Sequence, residues 1–204
     1  TVLSRGLGDV YKRQIYKVSL NGSKEKWLDD AMYRTISFSP DGNYVMVSQI
    51  KKPFSYLVTY GRFPSQTDVF NKQGKLVTNL LDTPLIEELP KGRMSTTTGK
   101  RSYSWRADKP STLIYVKALD KGNPAIKTEY RDEVFEIEAP FSGEGKSLVK
   151  TTNRFSGIDW GTESIAIVYD YWWDTRNRKA YIFNPSSPNS KPKTLYDRNY
   201  QDIY

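Results

Sequence analysis

Apolar and polar positions alternate in short runs along this chain, and no stretch settles into the 3.6-residue period of a helix. One unit occurs three times: a short strand centred on an aromatic residue, a tight turn, then an alternating or wholly apolar strand. The first copy is Ile36-Ser37-Phe38 with Ser39-Pro40-Asp41-Gly42, leading into Tyr44-Val45-Met46-Val47. The second is Tyr103-Ser104-Trp105 with Arg106-Ala107-Asp108, leading into Thr112-Leu113-Ile114-Tyr115-Val116. The third is Gly157-Ile158-Asp159-Trp160-Gly161, leading into Ser164-Ile165-Ala166-Ile167-Val168. The anchors Phe38, Trp105 and Trp160 stand 67 and 55 residues apart.

A second hairpin follows each copy. Thr67–Phe70 turns into Lys75–Leu80, Asp132–Ile137 into Ser147–Lys150, and Lys179–Phe183 into Lys193–Tyr196. Ahead of the first copy, Ile15–Leu20, an Asn21-Gly22 turn and Glu25–Leu28 predict another such hairpin, because Asn-Gly between alternating runs favours a tight turn. Four strands per repeat predict an all-β chain forming a partial β-propeller, with about three four-stranded blades plus part of a fourth. The blades are placed at 15–30 (partial), 31–82, 101–151 and 155–204. Segments 51–66 and 83–101 are read as insertions, since the spacing exceeds the roughly 40–45 residues of a short blade. A β-sandwich would also give short strands, but not three aligned copies of one unit. Propellers close with about 4–8 blades, so the chain is expected to be a portion of a longer one.

Composition narrows the chemistry. Tyr (15), Phe (8) and Trp (5) supply the large rings that suit half-buried sheets. The sequence has no Cys and no His, which removes disulfides, thiolate or imidazole metal ligands and any Ser-His-Asp or Cys-His catalytic set from this chain. No catalytic residue, metal site or cofactor is therefore assigned. The net charge of +8 raises nucleic acid as a partner, but Lys24, Lys51, Lys72, Lys91, Lys146 and the other cations are scattered over turns and strand ends, where Lys protects edges. No nucleic-acid partner is expected. Nor is a membrane span, for want of a run of 18 or more apolar residues.

Residues 1–14 read differently from the rest. They lack an initiator Met, an apolar core and a cleavage site, and they resemble translated adapter sequence, so they are set aside as a non-native leader. A genuine strand through Val10–Val18 is the alternative.

Motif by motif, most catalytic readings fail. Gly92 to Gly99-Lys100-Arg101 has six residues between its glycines and Arg after Lys, which does not fit a phosphate loop. No Gly-x-Ser-x-Gly elbow occurs. Ser39-Pro40-Asp41-Gly42 fits a tight strand connection better than a sialidase-type turn. Asp159, Glu163 and Asp170 are the acids from which a glycosidase pair would have to come. Glu87 and Glu88, bracketed by Pro84 and Pro90, are candidates for holding a substrate ammonium group or an arginine, against the plainer reading of an exposed acidic loop. In Tyr171-Trp172-Trp173-Asp174-Thr175-Arg176 the paired indoles either cap the blade core or pack Arg176 by a cation–π contact.

Lys52-Pro53-Phe54-Ser55-Tyr56-Leu57-Val58, Tyr60-Gly61-Arg62-Phe63-Pro64, Pro84-Leu85-Ile86-Glu87-Glu88, Trp105-Arg106-Ala107-Asp108 and Tyr171–Arg176 occur in that order. Together they resemble the N-terminal propeller of the glutamyl endopeptidase branch of the prolyl oligopeptidase family, over residues 15–204. The resemblance implies a propeller over a C-terminal α/β-hydrolase domain, absent from this chain, whose Ser-Asp-His triad cleaves peptides after glutamate. It implies a peptide substrate, with the propeller gating and selecting it. A stand-alone propeller that binds protein or glycan partners is the alternative. A glutamate preference needs a cation near the cleaved bond, and Arg62, Arg154 and Arg176 are the candidates to line the central funnel. Bacterial relatives favour a periplasmic or secreted location; plant relatives are plastidic.

Overall fold

The computed structural model describes residues 12–202, so most of the segment set aside as a leader lies outside the described residues. The chain forms two compact units, one ending at Glu87 and the other beginning at Glu88. Both are built from antiparallel sheets, and no described helix is long and apolar enough to cross a membrane.

The first unit holds β1 (Arg13–Val18), β2 (Lys24–Phe38), β3 (Tyr44–Ile50), β4 (Ser65–Asn71) and β5 (Leu76–Thr83), hydrogen-bonded in that order. β2 is longer than the sequence pattern predicts. The hairpin strand ending near Leu28 and the aromatic strand starting near Ile36 are one continuous strand, because Lys24–Phe38 contains neither Gly nor Pro to break it. Its two halves do different work: residues up to Ala31 pair with β1, and residues from Met32 onward pair with β3. One strand thus closes a partial sheet and opens the next. Arg13 and Gln14, set aside with the leader, lie in β1, where Arg13 pairs with Ala31 and Gln14 donates to Asp30.

Val45, Met46, Val47 and Val69 form the buried centre of this unit. The Ser39–Asn43 turn is stitched locally. The Ser39 hydroxyl donates to Asp41 (2.6 Å), the Asn43 amide donates to the same carboxylate (3.1 Å), and Gly42 takes a φ of +67° that side chains resist. These bonds fit a structural turn. The anchor Phe38 is 66% exposed, with Ile36, Tyr16 and Val18 also exposed.

The second unit holds two four-stranded sheets. The first is β6 (Lys100–Trp105), β7 (Thr112–Ala118), β8 (Asp132–Glu138) and β9 (Lys146–Thr151). The other is β10 (Arg154–Thr162), β11 (Ile165–Trp172), β12 (Asn177–Phe183) and β13 (Lys193–Asn199). Their inner faces share one core, with Ile114, Val116, Val134, Leu148 and Val149 from one sheet against Ala166, Val168, Tyr181 and Phe183 from the other. β7 is buried along five consecutive residues, as expected of a strand covered on both faces. The anchors sit at equivalent places: Trp105 packs edge-on to Phe141 and Trp160 edge-on to Phe183. This is the partial β-propeller that the repeats predict.

Candidate functional site

The register brings several loops to one edge of the second unit. Lys100 pairs with Lys117, Ala118 with Asp132, and Asp132 with Thr151, so the starts of β6 and β8 and the ends of β7 and β9 lie together. In the neighbouring sheet Arg154 pairs with Tyr171 and Trp172 with Asn177. The Phe155 amide donates to Asp132 (2.8 Å), which joins the two edges.

Arginines dominate this edge. Arg154 is 6% exposed, and its guanidinium is used up inside the protein. Nε donates to the Met94 carbonyl (2.8 Å), Nη1 to Asp132 (3.1 Å) and the Arg131 carbonyl (3.2 Å), and Nη2 to Asp120 (2.7 Å). Asp120 and Asp132 are fully buried, and such carboxylates persist only when paired. Arg131 donates to Asp120 (2.8 Å) and to the Ile126 carbonyl (2.7 Å), and lies 4.2 Å over the Trp172 ring. Arg101 Nη2 stands 2.6 Å from Asp132 but is not aligned for a hydrogen bond, and its Nε and Nη2 have no acceptor. The next residue, Ser102, has a φ of +54° within a bulge that shifts the β6–β7 register. Bulges of this kind redirect side chains.

Beyond this frame lies a more open aromatic cluster. Arg176 sits 3.9 Å over the Trp173 ring and donates to the Trp173 carbonyl (2.9 Å). The guanidinium of Arg93 lies 4.4 Å from the centre of the same ring. Tyr171 packs edge-on to Trp173 and to Tyr200. Arg93 is exposed and Arg176 half-buried, and no carboxylate pairs with either among the described residues.

The residues expected from sequence are distributed unequally over these features. Arg176 takes up the cation–π contact. Arg154 does not face solvent, because its partners Asp120 and Asp132 are buried and hold it inward. Arg62 is half-buried in a 3₁₀ turn, Tyr60–Arg62, and its carbonyl accepts from the Ile86 amide (3.0 Å), tying the approach to Glu87 against that turn. Glu87 closes the first unit and Glu88 opens the second; both are exposed and neither is ion-paired among the described residues. Asp170 is fully buried and accepts from the Asn153 amide (2.9 Å) and side chain (3.0 Å). Burial pushes its carboxyl above the ordinary range, against the bonds from Asn153 and Tyr181.

The opposite edge repeats the pattern in a closed form. Arg106 is 1% exposed, donates to Asp108 (3.0 and 2.6 Å) and to Glu136, and stacks 4.2 Å over Trp160. Burial works against its charge, but the two carboxylates outweigh it and raise its pKa.

No family model matches the chain. Its curated relatives include the probable chloroplastic glutamyl endopeptidases of Oryza sativa subsp. japonica and Arabidopsis thaliana, each 35% identical over 193 residues and covering 94% of this chain. The chain spans about a fifth of their length, 21% and 20%. Among solved structures, the acylaminoacyl peptidase of Pyrococcus horikoshii superposes with a TM-score of 0.52 at 14% identity, covering 89% of this chain and 28% of that one. The propeller domain of the trilobed protease from Pyrococcus furiosus gives 0.51 at 13%, covering 92% and 50%. An oligogalacturonate lyase gives 0.54 at 12%, covering 91% and 48%, so the fold by itself does not choose a chemistry.

Fold and relatives together define the chain as a β-propeller portion of a peptidase-family protein. Within that class, its 35% identity to the two glutamyl endopeptidases agrees with the resemblance carried by its motifs. These curated relatives are plant proteins named as chloroplastic, so the periplasmic or secreted location expected from bacterial members draws no support from them.

Proposed function

We propose that this propeller gates and selects peptide substrate for a serine peptidase of the prolyl oligopeptidase type that cleaves after glutamate. The observation that carries the reading is the 35% identity to two glutamyl endopeptidases over nearly the whole chain. With no His in its sequence, the chain itself supplies no Ser-His-Asp triad, and the reaction falls to an α/β-hydrolase domain elsewhere in the full-length protein. The propeller's part is binding: it admits a peptide and holds it by charge. Arg176 and Arg62 suit that part better than Arg154, whose donors are committed within the fold. Glu87 and Glu88 remain available to hold a peptide ammonium group.

The test uses the full-length protein. A fluorophosphonate should label it covalently while leaving the 204-residue chain unlabelled, and kcat/KM should be much higher for a Glu peptide than for the matching Gln peptide. Labelling of the isolated chain, or equal cleavage of the two peptides, would overturn the reading.

A further inference from the structure

We infer that Arg93, Trp173 and Arg176 form a recognition site for a carboxylate side chain of an acidic peptide. Two guanidinium groups are gathered on one indole, at 4.4 and 3.9 Å from its centre. Like charges repel, and an indole face offsets only part of that repulsion. The arginines on the other indoles come with acids: Arg131, over Trp172, holds Asp120, and Arg106, over Trp160, holds Asp108 and Glu136. At Trp173 no protein carboxylate fills that place among the described residues, although Asp174 is the next residue in the chain and is exposed. The nearby acids Asp120 and Asp132 are buried and committed to Arg131, Arg154 and Arg101.

The geometry favours a carboxylate. Of Arg176's donors, Nη1 goes to the Trp173 carbonyl and the Tyr171 hydroxyl also takes a bond from this guanidinium, while Arg93 over the same ring is exposed. A stacked guanidinium with free N–H groups is preorganised for two-pronged binding of a carboxylate, which a lysine would not be. The anchor is firm, since Met94, the neighbour of Arg93, is tied through its carbonyl to buried Arg154, and Tyr171 and Tyr200 pack beside Trp173. Nucleic acid fits less well, because the indole that would stack a base already carries two cations. The inference rests on the peptidase reading only for the kind of partner, a peptide; the demand for a carboxylate comes from the site.

The test measures binding of a fluorescein-labelled Glu-rich hexapeptide and its Gln counterpart to the 204-residue chain by anisotropy, at low and moderate salt. The expected result is a clear preference for the Glu peptide that weakens with salt. Arg93→Gln and Arg176→Gln should each lower affinity about five- to tenfold, with the fold checked by circular dichroism. Arg93→Lys and Arg176→Lys, which keep the charge, stand in if a Gln variant unfolds, and they should recover only part of the binding. Equal binding of Glu and Gln peptides, unchanged affinity in the double variant, or equal competition by an oligonucleotide would each overturn the inference. Parallel kinetics on the full-length protein separate the two claims. Glu-selective cleavage that survives the double Arg93→Gln, Arg176→Gln change removes this site and leaves the peptidase reading intact. Glu-selective binding lost in that variant, with no peptidase activity in the full-length protein, does the reverse.

Discussion

Arg154 and Asp120 are 34 residues apart in sequence and form a 2.7 Å ion pair between side chains that are 7% and 0% exposed. The pair joins the loop after β7 to the first residue of β10, and Asp132 at the start of β8 shares the same guanidinium. A buried pair of this kind contributes little net stability over an apolar replacement, but breaking it strands a charge. Its effect is to fix two sheets and the Met94 loop in one arrangement.

Arg154→Ala should therefore lower stability by about 3–5 kcal/mol, since Asp120 and Asp132 would lose a buried partner. Arg176→Ala, at a more open site with no carboxylate partner among the described residues, should stay within about 1 kcal/mol of the parent. Urea unfolding of both variants distinguishes a frame arginine from a binding one. Equal losses would contradict the assignment of roles.

Asp170 gives a pH signature. Its folded-state pKa lies above the unfolded value of about 3.9, chiefly through burial. Between those two values the folded protein keeps a proton that the unfolded chain has released, so stability falls as pH rises. The contribution is fully present below about pH 4 and lost above the raised value. Asp170→Asn removes this titration. The stability difference between parent and variant, followed by urea unfolding across that window, should shift against the parent as pH rises. A difference that does not change with pH would show that the carboxyl titrates normally.

The loop carrying Arg93 is held by a backbone contact that admits no side chain. Thr96 donates to the Gly122 carbonyl (3.0 Å), and a Cβ on Gly122 would sit 2.0 Å from the Thr96 carbonyl oxygen, at a φ of +72°. Gly122→Ala must push the loop away from the β7–β8 turn. It should cost several times the roughly 1 kcal/mol of Gly143→Ala, which shares a positive φ but opens to free space. Thermal unfolding of the two variants makes the comparison. If binding by Arg93 depends on this tether, Gly122→Ala should also weaken capture of the Glu peptide.

The blades were legible because their signal is local. Period-two alternation, an aromatic anchor and a turn such as Ser39–Gly42 lie within a dozen residues, and tertiary packing reinforces them. The unbroken β2 was missed because Glu25–Leu28 and Ile36–Phe38 read as strands of two separate hairpins, whereas nothing between them, neither Gly nor Pro, breaks the backbone. Arg154 looked like any other exposed cation in sequence, since its two acids stand 34 and 22 residues away and nothing local marks them. The Trp173–Arg176 contact was readable, being three residues long. Arg93, 80 residues earlier, was not.

Arg106 tests whether the closed edge depends on guanidinium shape or only on charge. Its planar fork meets Asp108 with two bonds, reaches Glu136 and covers Trp160 at the same time. A lysine keeps the charge but, as a compact point donor, cannot hold both acids and lie flat on the ring. Arg106→Lys should thus lose about 2 kcal/mol or more, and Arg106→Ala about 3–5 kcal/mol because Asp108 and Glu136 would remain largely buried without it. Double-variant cycles with Trp160→Leu would apportion the stacking, expected at about 0.5–2 kcal/mol. A Lys variant as stable as the parent would show that charge alone holds this edge, and it would weaken the case that stacked guanidinium geometry matters at Trp173.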